Sequence, residues 1–354
     1  MPPSLASTAW TVFARPASFK QRRRPMTMNT VLGPATMAAL LTAATGGVFT
    51  ATAHAAPPQV RTQAPAFYRM KLGDFEITAL SDGTVLQATD KVLTNIRPEL
   101  IAPLLAASYL TPPVEQSINA FLINTGSKLF LVDTGAGELF GPGAGHLVTH
   151  MRAAGYEPEQ VDAVLLTHIH TDHSGGLEMA GKRVFPNAVV YANKREVDFW
   201  LNPANAETAS DIQKPLFRQA MIALSPYIAA GRLGTFEANT ELAPGIKTFA
   251  APGHTPGHSF YVVESQGQKL VFWGDVMHQA AIQFLEPSVT IKYDVDSHAA
   301  ETQRQRAFAE AAWQGYWVAI AHVPFPGIGH LRPNFKGYTW LPAHYSRAPW
   351  GGSP

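Results

Sequence analysis

Ten residues constrain this chain more than any others: Thr167-His168-Ile169-His170-Thr171-Asp172-His173-Ser174-Gly175-Gly176. Four potential metal ligands fall within six residues, too dense and too irregular in spacing for one helical face. A tight loop can aim them at one small volume from different sides, and the two glycines let backbone approach closely. The preceding residues 161–167 form a short apolar run, which predicts a buried strand with the cluster at its carboxyl end. Side chains from several loops converge at such ends in open sheets.

Further ligand types recur in matching places. His254 and His258 stand in the Gly/Pro loop Ala251-Pro252-Gly253-His254-Thr255-Pro256-Gly257-His258. Asp275 follows Val271-Phe272-Trp273-Gly274, and His322 follows Val318-Ala319-Ile320-Ala321. Converging, these side chains supply enough ligands for two metals. Imidazole with carboxylate suits borderline divalent ions, zinc first, with cobalt, manganese or mixed occupancy as alternatives. The chain has no cysteine, which rules out thiolate zinc, a cysteine nucleophile and disulfides.

The rest of the chain reads as α/β. Residues 70–80 alternate and meet Ser81-Asp82-Gly83, a strand entering a turn. Residues 121–124 and 128–133 read as a hairpin ending at Asp133, which either holds a ligand histidine or caps a turn. Residues 147–154 have helical spacing, residues 185–191 lead as a strand into a helix ending at Trp200, and residues 206–228 read as mostly helical despite Pro215 and Pro226. Strands are expected at 245–249, 260–264, 269–273 and 317–321, and residues 299–314 give the clearest amphipathic helix. Residues 339–349 read as a terminal strand and tail.

Charge divides the chain unevenly. It carries 27 Lys+Arg and 26 Asp+Glu over 354 residues, a formal +1, which is no polycation for binding nucleic acid. Hydrophobic residues make up 46% and charged residues 15%, so disorder is excluded. Residues 1–55 hold Arg15, Lys20 and Arg22 to Arg24 but no acid, and the remainder is acidic by four charges. The basic stretch, the weakly apolar residues 30–53 and the small-x-small Ala53-His54-Ala55 read as an export signal cleaved before Ala56. The expectation is therefore a periplasmic or secreted protein, with residues 56–354 as one domain and no stable membrane association after processing. An uncleaved anchor near residues 31–52 is the alternative.

His168, His170, Asp172 and His173 resemble the HxHxDH signature of the metallo-β-lactamase superfamily, with His254, Asp275 and His322 in the order that family uses. The resemblance covers residues 68–345 and implies a four-layer αββα sandwich with a binuclear site at one edge of two sheets. It implies one ion held by His168, His170 and His254, the other by Asp172, His173 and His322, and Asp275 bridging them around a hydroxide. Asp172 and Asp275 are then the catalytic carboxylates, Asp172 having a second role as proton shuttle. His258 and Asp133 are expected to orient the ligands.

Branches of that family differ in what they leave out here. A classical β-lactam hydrolase often has a cysteine in its second site, a glutathione-thioester hydrolase wants a basic pocket, and nuclease branches add a further domain. The phrases at residues 116–126 and 321–331 resemble the methyl parathion hydrolase group, with Phe140, Trp200 and Phe217 at its aromatic leaving-group positions. That resemblance implies organophosphate triesters such as methyl parathion as the first substrate reading. A lactonase acting on N-acyl homoserine or aryl lactones, or an arylesterase, is the alternative, and a non-catalytic metal-binding protein is the non-enzymatic one. The expected partner is a small neutral ester or lactone, with a homodimer open.

Overall fold

The computed structural model describes residues 57–346. The expected leader, its cleavage site and the end of the expected tail lie outside the described residues. The chain divides into two units: of Met1–Arg61, residues 57–61 are described and carry no regular structure, and everything that follows concerns the unit Thr62–Pro354.

Two seven-stranded sheets carry the fold, each in simple sequence order. The first runs β1 (Phe67–Leu72), β2 (Phe75–Gln87), β3 (Val114–Asn124), β4 (Leu129–Val132), β5 (Ala163–Leu165), β6 (Val189–Asn193) and β7 (Leu233–Phe236). Its first three pairings are antiparallel and its last three parallel. The second runs β8 (Glu241–Ala243), β9 (Ile246–Ala250), β10 (Ser259–Ser265), β11 (Gln268–Phe272), β12 (Trp317–Ala319), β13 (Ile328–Pro333) and β14 (Tyr338–Pro342), with only β11 and β12 parallel.

Both faces of the central strands are buried. In β3, Phe121 and Ile123 enter a core shared with Tyr261, Val263, Phe272 and Ile328 of the second sheet. The alternate residues Ala120 and Leu122 pack instead with α2 (Leu147–Ala153) and α4 (Lys214–Ala229). On the far side of the second sheet, Val271, Val318 and Leu331 pack with Phe308 and Ala311 of α6 (Ser297–Gln314). This is the expected four-layer sandwich, and each large apolar side chain fully buried in it contributes about 1.5–3 kcal/mol.

Local expectations were met or shifted for identifiable reasons. The hairpin at residues 121–133, the helix before Gly155 and the strands leading to residues 275 and 322 are present. Ser81-Asp82-Gly83 is no turn: β2 continues through it with a register shift. There the fully buried Asp82 accepts the amides of Ala136 at 2.9 Å, Gly145 at 3.0 Å and Leu147 at 3.2 Å. The helical stretch 206–228 is broken between Pro203–Thr208 and α4, while Pro215 fits the first turn of α4, where no amide donor is needed. Before β3 lies α1 (Pro98–Ala106), for which the sequence reading assigned no element. A seven-residue helix, α3 (Lys194–Trp200), follows β6, and a short α5 (Ala280–Gln283) precedes α6. No helix among the described residues is long and apolar enough to cross a membrane.

Candidate metal centre

The carboxyl ends of parallel strands in both sheets meet at one edge. Beyond β5 come Thr167 and the histidine cluster, beyond β11 comes Asp275, beyond β12 comes His322, and the β9–β10 loop brings His254. Two groups result: His168, His170, His254 and Asp275, and Asp172, His173, His322 and the same Asp275. Within each group the ligand atoms lie within 4.8 Å of one another. Asp275 Oδ2 is 3.4 Å from His254 Nε2 and 3.2 Å from His322 Nε2, while its Oδ1 is 3.0 Å from His173 Nε2.

The surrounding hydrogen bonds aim the ring nitrogens inward. His173 Nδ1 donates to Asp133 Oδ2 at 2.8 Å, His254 Nδ1 to Asp294 Oδ1 at 2.8 Å, and His322 Nδ1 to the Ser117 carbonyl at 2.9 Å. Asp133 also accepts the Thr167 amide and hydroxyl, both at 2.8 Å, and so ties the end of β4 to the start of the ligand loop. His258 Nε2 accepts the Asp275 amide at 3.0 Å, while its Nδ1 donates to the Ala251 carbonyl at 3.2 Å. Burial pushes His258 down to about 4, which keeps it neutral and its Nε2 an acceptor. Gly274 lets this loop close: with φ +52°, it has space for no side chain, since a Cβ would lie 2.7 Å from Thr167 Oγ1 and 2.8 Å from His258 Nε2.

The donor set fits metal ions. His168 Nε2, His170 Nε2, His173 Nε2 and Asp275 Oδ1 are all buried with no hydrogen-bond partner. Each such group costs about 1–3 kcal/mol when left unpaired, and four converging at one point call for a shared cationic partner. Burial, reinforced by neighbouring imidazoles, holds His168, His170 and His254 well below the ordinary histidine range, as neutral ligands need. Burial favours the uncharged form of Asp275 too, but the surrounding histidines outweigh it and keep the carboxylate ionised. The site is binuclear, with three histidines on one side and two histidines with Asp172 on the other.

Residues 114–326 match the family model for the metallo-beta-lactamase superfamily. The chain belongs to the metallo-β-lactamase superfamily. Among solved structures it is similar to the hydrolase AbOPH of that superfamily, at 37% identity and a TM-score of 0.77 over 80% of this chain and 100% of the other. It is also similar to AidC, a dizinc quorum-quenching lactonase, at 26% identity and a TM-score of 0.73 over 80% of this chain and 99% of the other. The chain spans less than half the length of the first curated relatives it matches. These are a ribonuclease of Thermus thermophilus, 30% identical over 38% of this chain and 30% of its own length, and an N-acyl homoserine lactonase of Bacillus cereus, 24% identical over 35% and 42%. Fold and ligand groups together give this member of the superfamily a candidate binuclear metal centre.

A cavity of about 240 Å3 faces the metal centre. Phe140 lines it beside Leu86, Leu216 and Tyr293. The other two expected aromatic walls are elsewhere. Trp200 is buried because its Nε1 donates to Glu196 Oε2 at 2.8 Å, and its ring backs onto that of His170 at 5.0 Å. Phe217 turns into the helical core against Trp200, at 4.6 Å, and its neighbour on α4, Leu216, takes the place on the cavity wall.

Three residues of this superfamily site escaped the sequence reading. Asp294 sits 40 positions from the His254 it orients, with no local motif to mark it. His278, three residues after Asp275, brings Nε2 to 3.1 Å from Asp275 Oδ2 and stacks on His322. Glu196 is fully buried and accepts the amides of Ile169 at 3.0 Å and Gly257 at 2.7 Å. It thereby joins the His168–His170 loop of the first sheet to the His254–His258 loop of the second. The clue was a charged residue on the first turn of a short helix whose neighbours read as core.

Proposed function

We propose that this protein hydrolyses neutral carboxylic esters, with lactone ring-opening as its leading activity. The observation that carries this reading is the wall of the metal-facing cavity: it is apolar and aromatic on one side, imidazole and carboxylate on the other, and no Lys or Arg borders it. Such a wall favours an uncharged substrate over a phosphate monoester or an acidic thioester. The likeness to the dizinc lactonase AidC, covering 80% of the chain, supports a lactone over the organophosphate triester first expected.

His168, His170 and His254 would hold one ion and Asp172, His173 and His322 the other, with Asp275 shared; zinc suits this nitrogen and oxygen set. When bound, two such ions supply a nucleophilic oxygen at neutral pH and draw charge from the substrate carbonyl. Asp172 is the most exposed carboxylate of the set and lines the cavity, so it can carry a proton from the attacking water to the departing alkoxide oxygen. Asp133 and His258 hold His173 and the Asp275 backbone and so orient those ligands toward the centre. Phe140 and Tyr293 present aromatic rings to the flat part of the substrate. Those two rings also favour a second reading, an aryl phosphotriester, but the burial of Trp200 and Phe217 removes most of the aromatic cage it would need.

The test is a matched panel of N-acyl homoserine lactone, aryl carboxylate and neutral aryl phosphotriester, assayed with zinc-reconstituted and metal-stripped protein. The lactone should be turned over at least tenfold more efficiently than the triester, and only with metal. The reverse order would assign the triester. Export with removal of residues 1–55 belongs to the same proposal, and an exported protein whose amino terminus is Ala56 would bear it out.

A further inference from the structure

The loop between β4 and α2 supplies Phe140 to the wall of the metal-facing cavity, and one buried carboxylate gathers both its ends. Asp82, in the bulge of β2, receives the amide of Ala136 at the first foot of the loop and that of Gly145 at the second on a single oxygen, Oδ2. Its Oδ1 receives the Leu147 amide at the start of α2, and its own carbonyl receives the His146 amide at 2.9 Å. Among the described residues, every hydrogen bond that ties residues 136–145 to another strand or helix ends on Asp82.

Packing fixes the rest of the loop only loosely. Phe140 lies at the edge of a small cluster of Ile118, Ala136, Ala144 and Val85. Beyond it the turn is open: no atom stands within 4 Å of where a Gly141 side chain would begin, and Leu139 is exposed. The neck, by contrast, is tight. A Cβ on Gly145, at φ +81°, would lie 2.6 Å from the Gly137 carbonyl oxygen on the opposite foot. The metal ligands are held separately, ahead of the first foot. Thr134 donates its amide and hydroxyl to the His173 carbonyl at 2.7 and 2.9 Å, and the Gly176 amide reaches the Gly135 carbonyl at 3.1 Å.

We infer that Asp82 is a positioning residue for substrate: by gathering both feet of the loop on one carboxylate oxygen, it holds the Phe140 ring on the cavity wall and thereby sets the preference for an aryl over a saturated group beside the metal centre. The inference rests on the reading of that cavity as the substrate site. A carboxylate suits the task because it only accepts, and all three partners of its two oxygens are donors. Asn can keep one oxygen for Ala136 and Gly145 together and give up only Leu147, whereas Ala leaves both feet without an acceptor.

The test reads binding rather than turnover. N-phenylacetamide and N-cyclohexylacetamide, both neutral and close in size, are titrated calorimetrically into the zinc-loaded full chain. The wild type should bind the aryl compound about two- to tenfold more tightly, the worth of one contact between aromatic rings. Asp82→Ala and Phe140→Ala should lower that ratio by the same factor, at least twofold, and the double variant should go no lower. Asp82→Asn should keep the wild-type ratio, and zinc content should stay at two equivalents throughout. Gly145→Ala, which spreads the neck and leaves the carboxylate in place, should repeat the Asp82→Ala result and decides the matter where that variant fails to fold. A wild type without aryl preference would overturn the inference. So would an unchanged ratio in folded Asp82→Ala, a further fall in the double variant, or an Asp82→Asn that behaves as Asp82→Ala does. Because no hydrolysis is measured, this failure is separate from that of the hydrolase reading, which the panel of lactone and esters decides.

Discussion

Asp275 is the residue on which both ligand groups depend, because its two carboxylate oxygens face histidines of both. Asp275→Ala should therefore bind fewer than one equivalent of zinc and lose nearly all hydrolysis, with metal content measured by atomic absorption. Two retained equivalents would remove the shared-ligand assignment. Glu196 acts at one remove, on only the first group. Glu196→Gln keeps the shape but puts an amide nitrogen among the three donors of Ile169, Gly257 and Trp200. Zinc affinity of the His168, His170 and His254 group should fall at least tenfold, with the other group retained, as a titration of cobalt absorption bands would resolve. Equal loss at both groups would mean general loosening instead. The seven ligands were legible in the sequence because each stands in a motif or at a strand end, where local pattern carries the information. Asp294 and Glu196 were not, since a buried carboxylate that serves a distant loop looks like any surface acid until the loop is folded against it.

At the scale of elements, α4 is anchored by its last turn as well as by its apolar face. Tyr227 donates from its hydroxyl to the Leu177 carbonyl at 3.2 Å and accepts the Phe185 amide at 3.1 Å. Burial pushes this phenol up to about 12. An unfolded tyrosine loses its proton near 10, so above that pH the unfolded chain binds fewer protons than the folded one. The stabilisation is complete below pH 10 and is lost as pH rises through about 12, up to roughly 3 kcal/mol in all. Urea unfolding at pH 9 and pH 11 should show a larger loss for the wild type than for Tyr227→Phe, which has no proton to lose. Strands and helices with one clear period were readable from sequence. The bulge at residues 81–83 was not, because its cause is the capture of Asp82 by three amides up to 65 positions away. Trp200 and Phe217 show the same limit: spacing places a residue on a helix, but the hydrogen bond to Glu196 and the packing between the two rings decide which way each faces.

For the whole molecule, metal is a ligand of the folded state only. At a free concentration one hundred times Kd, each site should add about 2.7 kcal/mol of stability. Chelation should lower the melting temperature in two steps, and zinc, rather than magnesium, should restore it, as scanning calorimetry would record. The architecture itself was legible as a resemblance, since four layers follow once two sheets must each cover one face with helices and share the other. What the layers do to the ligands is a matter of chain order. The centre draws His168, His170, Asp172 and His173 from the loop after β5 but needs His254, Asp275 and His322 from the second sheet. A ribosome therefore finishes most of the chain before either ion can be fully enclosed, and no early fragment can sequester one on its own. The identity of the metal should consequently follow the ion supply present where the completed chain folds.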